Sequence, residues 1–290
     1  MDISKKKFIL TADDFGMNES FDRAILKGHK DGFIQAACIA ANGNSYEYAM
    51  KHILPKCKDL DLGVHLNIIE GQSLAKCTLL TDKYDCFKHG FVSLLANSYK
   101  KAFLLEIEQE FRAQIEKLKN DTDRPIAFIN SHVHTHAIPN IFKITAKLAR
   151  EYGIKFIRTQ AEKPYCAPEM PKPVNIIKIL LLNYLTAQNA ASVKEFELRA
   201  NDYIIGVGHT GGMSGKAIYH GVKSLDKMQN ITVEAIIHPG DDPKSSRFKE
   251  FEASLDLDLR ESIEGLGFEV SSFSKLLSEL HSEEFLYKGV

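Results

Sequence analysis

The chain has 290 residues, 44% hydrophobic and 26% charged, with a formal net charge of −1. That is ordinary globular composition, and near-neutrality speaks against nucleic acid or an anionic membrane as the main partner. The five cysteines are odd in number and form no Cys-x-x-Cys pair, so they read as free thiols in a reducing, cytoplasmic setting rather than as a disulfide framework.

The first strand-like run, "KFILTA" (7–12), gives way at once to Asp13 and Asp14, and its apolar stretch is too short for a signal peptide. A helical pattern follows over Ser20–Lys30. The next strands are "IQAACIAA" (34–41) and "LGVHLNI" (62–68), the second carrying His65. Ile69–Lys101 is long and mixed. The clearest helix comes after it, "AFLLEIEQEFRAQIEKLKN", with Leu104, Ile107, Phe111, Ile115 and Leu118 at three- and four-residue spacing.

The fourth strand, "IAFINS" (126–131), runs into "HVHTH", which holds His132, His134 and His136. Carried on as a strand, these alternate positions share one face. Helical Asn140–Tyr152 leads to "IKFIR" (154–158), which ends at Arg158. Gln160–Pro173 contains four of the nine prolines. The most apolar stretch, "VNIIKILLLNYL" (Val174–Leu185), is too short to span a bilayer and is interrupted by Lys178; it offers a contact for a homodimer. "YIIGVG" (203–208) precedes His209, and "ITVEAIIH" (231–238) ends at His238. A helical pattern over Phe251–Leu266 and a weaker strand, "GFEVSSF" (267–273), close the series.

Seven or eight strand–helix units predict a single α/β domain over 1–290, either a β/α barrel or a doubly wound sheet of mainly parallel strands. Insertions fall at about 69–101 and 160–201. In such folds the C-terminal strand ends share the face that holds the active site. Asp13, Asp14, His65, His132, Arg158, His209 and His238 all stand at such ends.

One carboxylate with two imidazoles is a common ligand set for a divalent ion with open positions. Asp14, His65 and His132 are the chosen set. An ion there offsets the repulsion between the paired carboxylates and leaves Asp13 free to take a proton from its water. Each residue also has a plainer reading. Asp13-Asp14 serves equally as a helix N-cap with a spare acid, His65 as a structural histidine, Arg158 as a surface cation, His209 as a loop residue and His238 as a turn cap. Two motifs fail. "GGMSGKA" departs from a phosphate loop at Thr210 and Ala217, and no Gly-x-Ser-x-Gly is present.

The segments "TADDFGMN", "GVHLN", "NSHVHTHAIPN", "IKFIR" and "IIHPG" resemble the YdjC-like carbohydrate deacetylases, the family of chitooligosaccharide and hopanoid-associated deacetylases, related to the NodB-type enzymes. The likeness runs from about residue 7 to about 275. It implies a distorted β/α barrel and metal-dependent removal of acetyl groups from N-acetylated sugars. By position, Asp13 resembles the family's general base, Asp14, His65 and His132 its metal ligands, His238 its second catalytic histidine, and Arg158 the arginine that steadies the base. The ion, magnesium or zinc among others, is not specified. His134 and His136 stay open between substrate contact, support of His132 and a further ligand. Val133 and Asp241 depart from common family residues. Rival readings are another metal-dependent amidohydrolase or phosphoesterase, a non-haem iron oxygenase, and a sugar-binding paralogue without activity.

Overall fold

The computed structural model describes residues 6–168 and 171–279. In chain order its elements are β1 (Lys6–Phe15), α1 (Glu19–Lys30), β2 (Ala36–Ile39), α2 (Tyr46–Tyr48), β3 (Asp61–Leu66), α3 (Phe91–Asn97), α4 (Lys101–Asp121) and β4 (Ile126–Ser131). They continue with α5 (Pro139–Glu151), β5 (Phe156–Ile157), α6 (Pro173–Glu195), β6 (Tyr203–Ile205), α7 (Gly215–Lys223), β7 (Ile231–Ile237), α8 (Phe248–Leu255), α9 (Leu257–Gly265) and β8 (Phe268–Val270). Among the described residues, no helix is long and apolar enough to cross a membrane.

The strands form one parallel sheet in the order β5-β4-β3-β2-β1-β7-β6. β8 pairs with Lys6–Phe8 of β1. β7 holds one edge of β1 from Lys6 to Ala12, and β2 begins its pairing only at Thr11, so β8 takes the edge that β2 leaves free. The sheet curls until β5 and β6 approach each other. There Phe156 bridges Arg199, Ile157 N–H donates to Arg199 O and Ile204 N–H to Ala161 O, each at 2.8 Å. The Asn201 side chain binds the main chain of Thr159 at both N–H and O. The result is a distorted β/α barrel.

Strand alternation sorts side chains into two layers. Phe8, Leu10 and Ala12 face outward into the large core beneath the helices, whereas Ile9 joins Ala36, Phe128, Phe156 and Phe273 in an inner cluster. Phe128 and Phe273 stack at 4.2 Å and plug the barrel. Gly63 is required opposite them, because a Cβ there would lie 2.5 Å from the Phe128 ring. Further along the strands the inward positions turn polar: Asp13, Cys38, His65, Asn130, Arg158 and Glu234 are all buried. Apolar plug below and polar layer above set the stage for chemistry at one end.

Several expected boundaries move. The fourth strand ends at Ser131, and His132–Ala137 forms a tight helical turn with Val133 and His134 at φ 52° and 55°. The expectation that "HVHTH" continues as a strand is therefore wrong; left-handed backbone at two successive residues cannot stay in a ladder. Arg158 stands just past β5. The helical pattern over 251–266 is two helices, broken at Asp256 (ψ 95°), whose side chain caps α9 by accepting from Leu259 N–H. The 160–201 insertion contains α6, 23 residues long. Its Val174, Ile177, Leu180 and Tyr184 are exposed. The 69–101 insertion is held on α4 by carboxylates: Glu110 accepts from Leu74 and Ala75 N–H, and Glu106 from Thr78, Leu79 and Leu80 N–H.

Candidate functional site

Two neighbouring carboxylates normally point to opposite faces of a strand. Here Asp14 has φ 63°, and the β1–β2 register slips between Ala12 and Phe15. This bulge turns Asp14 back to the side on which Asp13 already lies, a conformation that aspartate tolerates better than most residues. Gly16 (φ +81°) completes the turn, its N–H held by Asp22 Oδ1 at 2.7 Å. The cap of α1 is Asn18, which accepts from Phe21 N–H, so the helix-cap reading of the acid pair does not apply.

The donor atoms of Asp14, His65 and His132 lie within 4.8 Å of one another. Asp14 Oδ1 is 2.8 Å from His132 Nδ1 and 3.2 Å from His65 Nε2. Cis ligands at about 2.1 Å from one ion are separated by about 3 Å, which these spacings match. The His65 tautomer sharpens the test. Its Nδ1 is 2.6 Å from Asn130 Oδ1, an acceptor, so Nδ1 carries the proton. Nε2 is then a bare lone pair, buried, without a hydrogen bond, and facing a carboxylate. Two lone-pair donors aimed at each other fit a cation between them, and nitrogen with carboxylate oxygen suits magnesium, manganese, zinc or iron. A second group, Asp13, Cys38 and His65, is equally close, but it is tied up internally: Cys38 S–H donates to Asp13 Oδ1 at 3.0 Å.

Asp13 is 2% exposed and paired with Arg158 through two bonds, Nη1 to Oδ2 at 2.6 Å and Nη2 to Oδ1 at 2.8 Å. Arg158, itself fully buried, turns its Nε and Nη2 to Glu234 at 3.0 and 2.6 Å. Burial alone would raise the Asp13 pKa, but the guanidinium outweighs it and holds the carboxyl well below its usual range. Asp14 is held low as well, against burial, by its hydrogen bond with His132 and by the nearby His238 charge. The Cys38 thiol is pushed far up by burial and by the Asp13 charge; it acts as a neutral donor.

His238 stands across the cavity at the end of β7. Burial disfavours its charge, but the contact with Glu250 and the Asp14 charge more than compensate, and its pKa lies above the ordinary histidine value. Glu250 also accepts from His238 N–H at 2.6 Å and pairs with Arg247 at 2.9 Å. His132 Nε2 lies 3.0 Å from Glu70, at the start of the 69–101 insertion. A cavity of about 870 Å³ opens over these groups. Asp13, Asp14, His65, His132, His134 and His238 line it, with Phe91, Val92, Leu181 and Val207 on its walls. Its size is that of an ordinary small-molecule site.

His136 and His209 stand apart from this cavity. His136 is fully buried, between Ser131 Oγ (2.5 Å) and Arg158 O (3.1 Å), and burial pushes its pKa down to about 3. His209 stacks on Tyr165 at 5.0 Å. Conversely, Glu234, Glu250, Cys38, Asn130 and Glu70 are absent from the sequence reading. Glu234 had a signal: an acid inside "ITVEAIIH" occupies a strand interior and calls for a buried cation. The others are ordinary residues until the fold places them.

Residues 7–265 match the model of the YdjC-like protein family. A carbohydrate deacetylase of Brevibacillus brevis is 32% identical over 149 residues, 51% of this chain and 57% of that protein. One from Clostridium beijerinckii is 28% identical over 163 residues (55% and 63%), and one from Mus musculus 25% over 169 (56% and 53%). The chain thus spans between about half and two-thirds of the length of the curated relatives it matches. Among solved structures, an Enterococcus faecalis protein described as a cellobiose-phosphate cleavage protein shares the fold, with a TM-score of 0.73 at 20% identity over 94% of this chain and 99% of the other.

Proposed function

The chain belongs to the YdjC-like family, and from that premise we propose that it is a metal-dependent hydrolase that removes acetyl groups from N-acetylated sugars. The observation that carries this reading is the bare His65 Nε2 facing Asp14, with an arginine-held carboxylate at the preceding residue, Asp13. The names of the relatives, carbohydrate deacetylases, support the substrate class.

Asp14, His65 and His132 would hold one divalent ion, magnesium or zinc. Such an ion, when bound, polarises the acetyl carbonyl and lowers the pKa of water toward neutrality. The chain's own residues do the rest. Asp13 accepts the proton of the water that adds to the acetyl carbon; Arg158 keeps this carboxylate ionised and fixes its plane. A carboxylate with so low a pKa is a weak base, so it suits only a water whose own acidity has been raised. His238, held protonated by Glu250, gives a proton to the sugar nitrogen as the C–N bond breaks. Amine and acetate leave. Val207 and Leu181 give the cavity an apolar wall.

The test is acetate release from N-acetylglucosamine, di-N-acetylchitobiose and longer oligomers, with and without a chelator. Release that stops with chelator and returns on adding magnesium or zinc is expected. No acetate from any of these substrates, with either ion supplied, removes the reading; release indifferent to chelator removes the metal from it.

A further inference from the structure

Of the histidines in "HVHTH", one does no visible work inside the protein. His136 is locked between Ser131 and Arg158, and His132 faces Asp14. His134 lines the cavity, yet its Nδ1 has no hydrogen-bond partner among the described residues. Its backbone is strained as well. Val133 and His134 are successive non-glycine residues in the left-handed region, at φ 52° and 55°, and for β-branched Val133 this is a marked outlier. The turn is forced from below: Ser131 Oγ accepts from His136 N–H at 2.8 Å and from Thr135 Oγ1 at 3.0 Å. Strain kept by surrounding bonds, in a residue that lines a cavity and keeps a buried nitrogen unpaired, marks function rather than packing.

We propose that His134 is a substrate-binding residue, its imidazole hydrogen-bonding the acetamido group of the bound sugar beside Asp13 and His238. This rests on the deacetylase reading. An imidazole offers both a donor and an acceptor, which matches the N–H and C=O of an acetamido group.

The experiment uses the full chain, loaded with magnesium or zinc, and an Asp13→Asn background in which sugar binding is separated from turnover. In that background His134→Gly is expected to weaken di-N-acetylchitobiose binding at least tenfold by calorimetry. Metal affinity should not change. Because glycine accepts the left-handed backbone freely, the melting temperature should hold or rise, the opposite of what removing a structural histidine does. His134→Gln, which keeps a side-chain donor and acceptor, should recover part of the binding. Undiminished sugar affinity, a loss of metal affinity, or a fall in melting temperature overturns the assignment, as does an absence of any sugar binding by the parent. Binding without acetate release by the wild-type chain removes the hydrolysis reading instead, and leaves the His134 comparison as it stands.

Discussion

Asp13 and Asp14 are consecutive, both nearly inaccessible, and their surroundings differ completely. Asp13 meets a fixed protein cation through two short bonds, with Cys38 and Asn130 adding donors to the same oxygen. Among the described residues, Asp14 meets only imidazole nitrogens, one of them a bare lone pair. The first pocket is complete without help, and the second is not. The contrast teaches how two identical carboxylates are fitted for the different tasks proposed for them: a permanent counter-charge for the base, an incomplete shell for the ligand.

The largest effect that tests this contrast is on turnover. Asp13→Asn should lower kcat by about 10²–10⁴-fold, the usual worth of a general base, while metal still raises the melting temperature. In Asp14→Asn or His65→Ala that metal-dependent rise should vanish, because metal at about 100 times its Kd adds roughly 2.7 kcal/mol to a competent site and nothing to a broken one. Equal loss of the metal effect in all three variants would merge the two pockets into one.

Next in size is stability. Arg158→Met leaves Asp13 and Glu234 buried without their shared cation, and denaturant unfolding should show a loss of about 3–5 kcal/mol. The sign with pH follows. The folded Asp13 pKa lies below the unfolded value, so its contribution is fully present above about pH 4 and is lost as pH falls through the folded value. In the Met variant the depressing charge is gone, and acid unfolding should begin at a higher pH than in the wild type. An unchanged acid transition would show that Arg158 does not set the Asp13 charge.

A smaller effect separates the acid from the base. The folded His238 pKa is raised above its unfolded value, so its ion-pair contribution is present below about pH 6.5 and is lost as pH rises through the folded value. In its proposed role of proton donor, His238 should set the alkaline limb of the kcat/KM profile. Glu250→Gln should move that limb to lower pH and leave the acid limb in place; a shift of the acid limb alone would deny His238 this role. The smallest change is expected for Cys38→Ser, which keeps a donor to Asp13: less than tenfold in kcat by acetate release, with metal affinity retained.

Much of this architecture was legible in the chain. The alternation of short apolar runs with helix-period patterns is a local property, and it located β1, β3, β4, β7 and α4 closely. The rule that parallel strand ends share a face gathers Asp13, Asp14, His65, His132, Arg158 and His238 from the sequence, and with them His209, which does not line the cavity. What stayed hidden depends on neighbours far away in sequence. Glu250 lies on a helix after β7 and acts only because α8 folds back beneath His238. Asn130 gives His65 its tautomer across two paired strands. The turn at Val133 and His134 contradicts the strand-like spacing of "HVHTH", because bonds to Ser131 and Arg158 outweigh local preference.

Residue identity and period by themselves determined the kind of fold and the inventory of reactive groups, since both follow from which side chains recur on which side of a strand. The tertiary structure alone decided what each group does. A bulge reversed the direction of Asp14, an arginine 145 positions away from Asp13 completed one carboxylate, and none of the described residues completed the other. Charge and lone-pair direction are settled by contacts, and contacts between strands exist only once the barrel has closed.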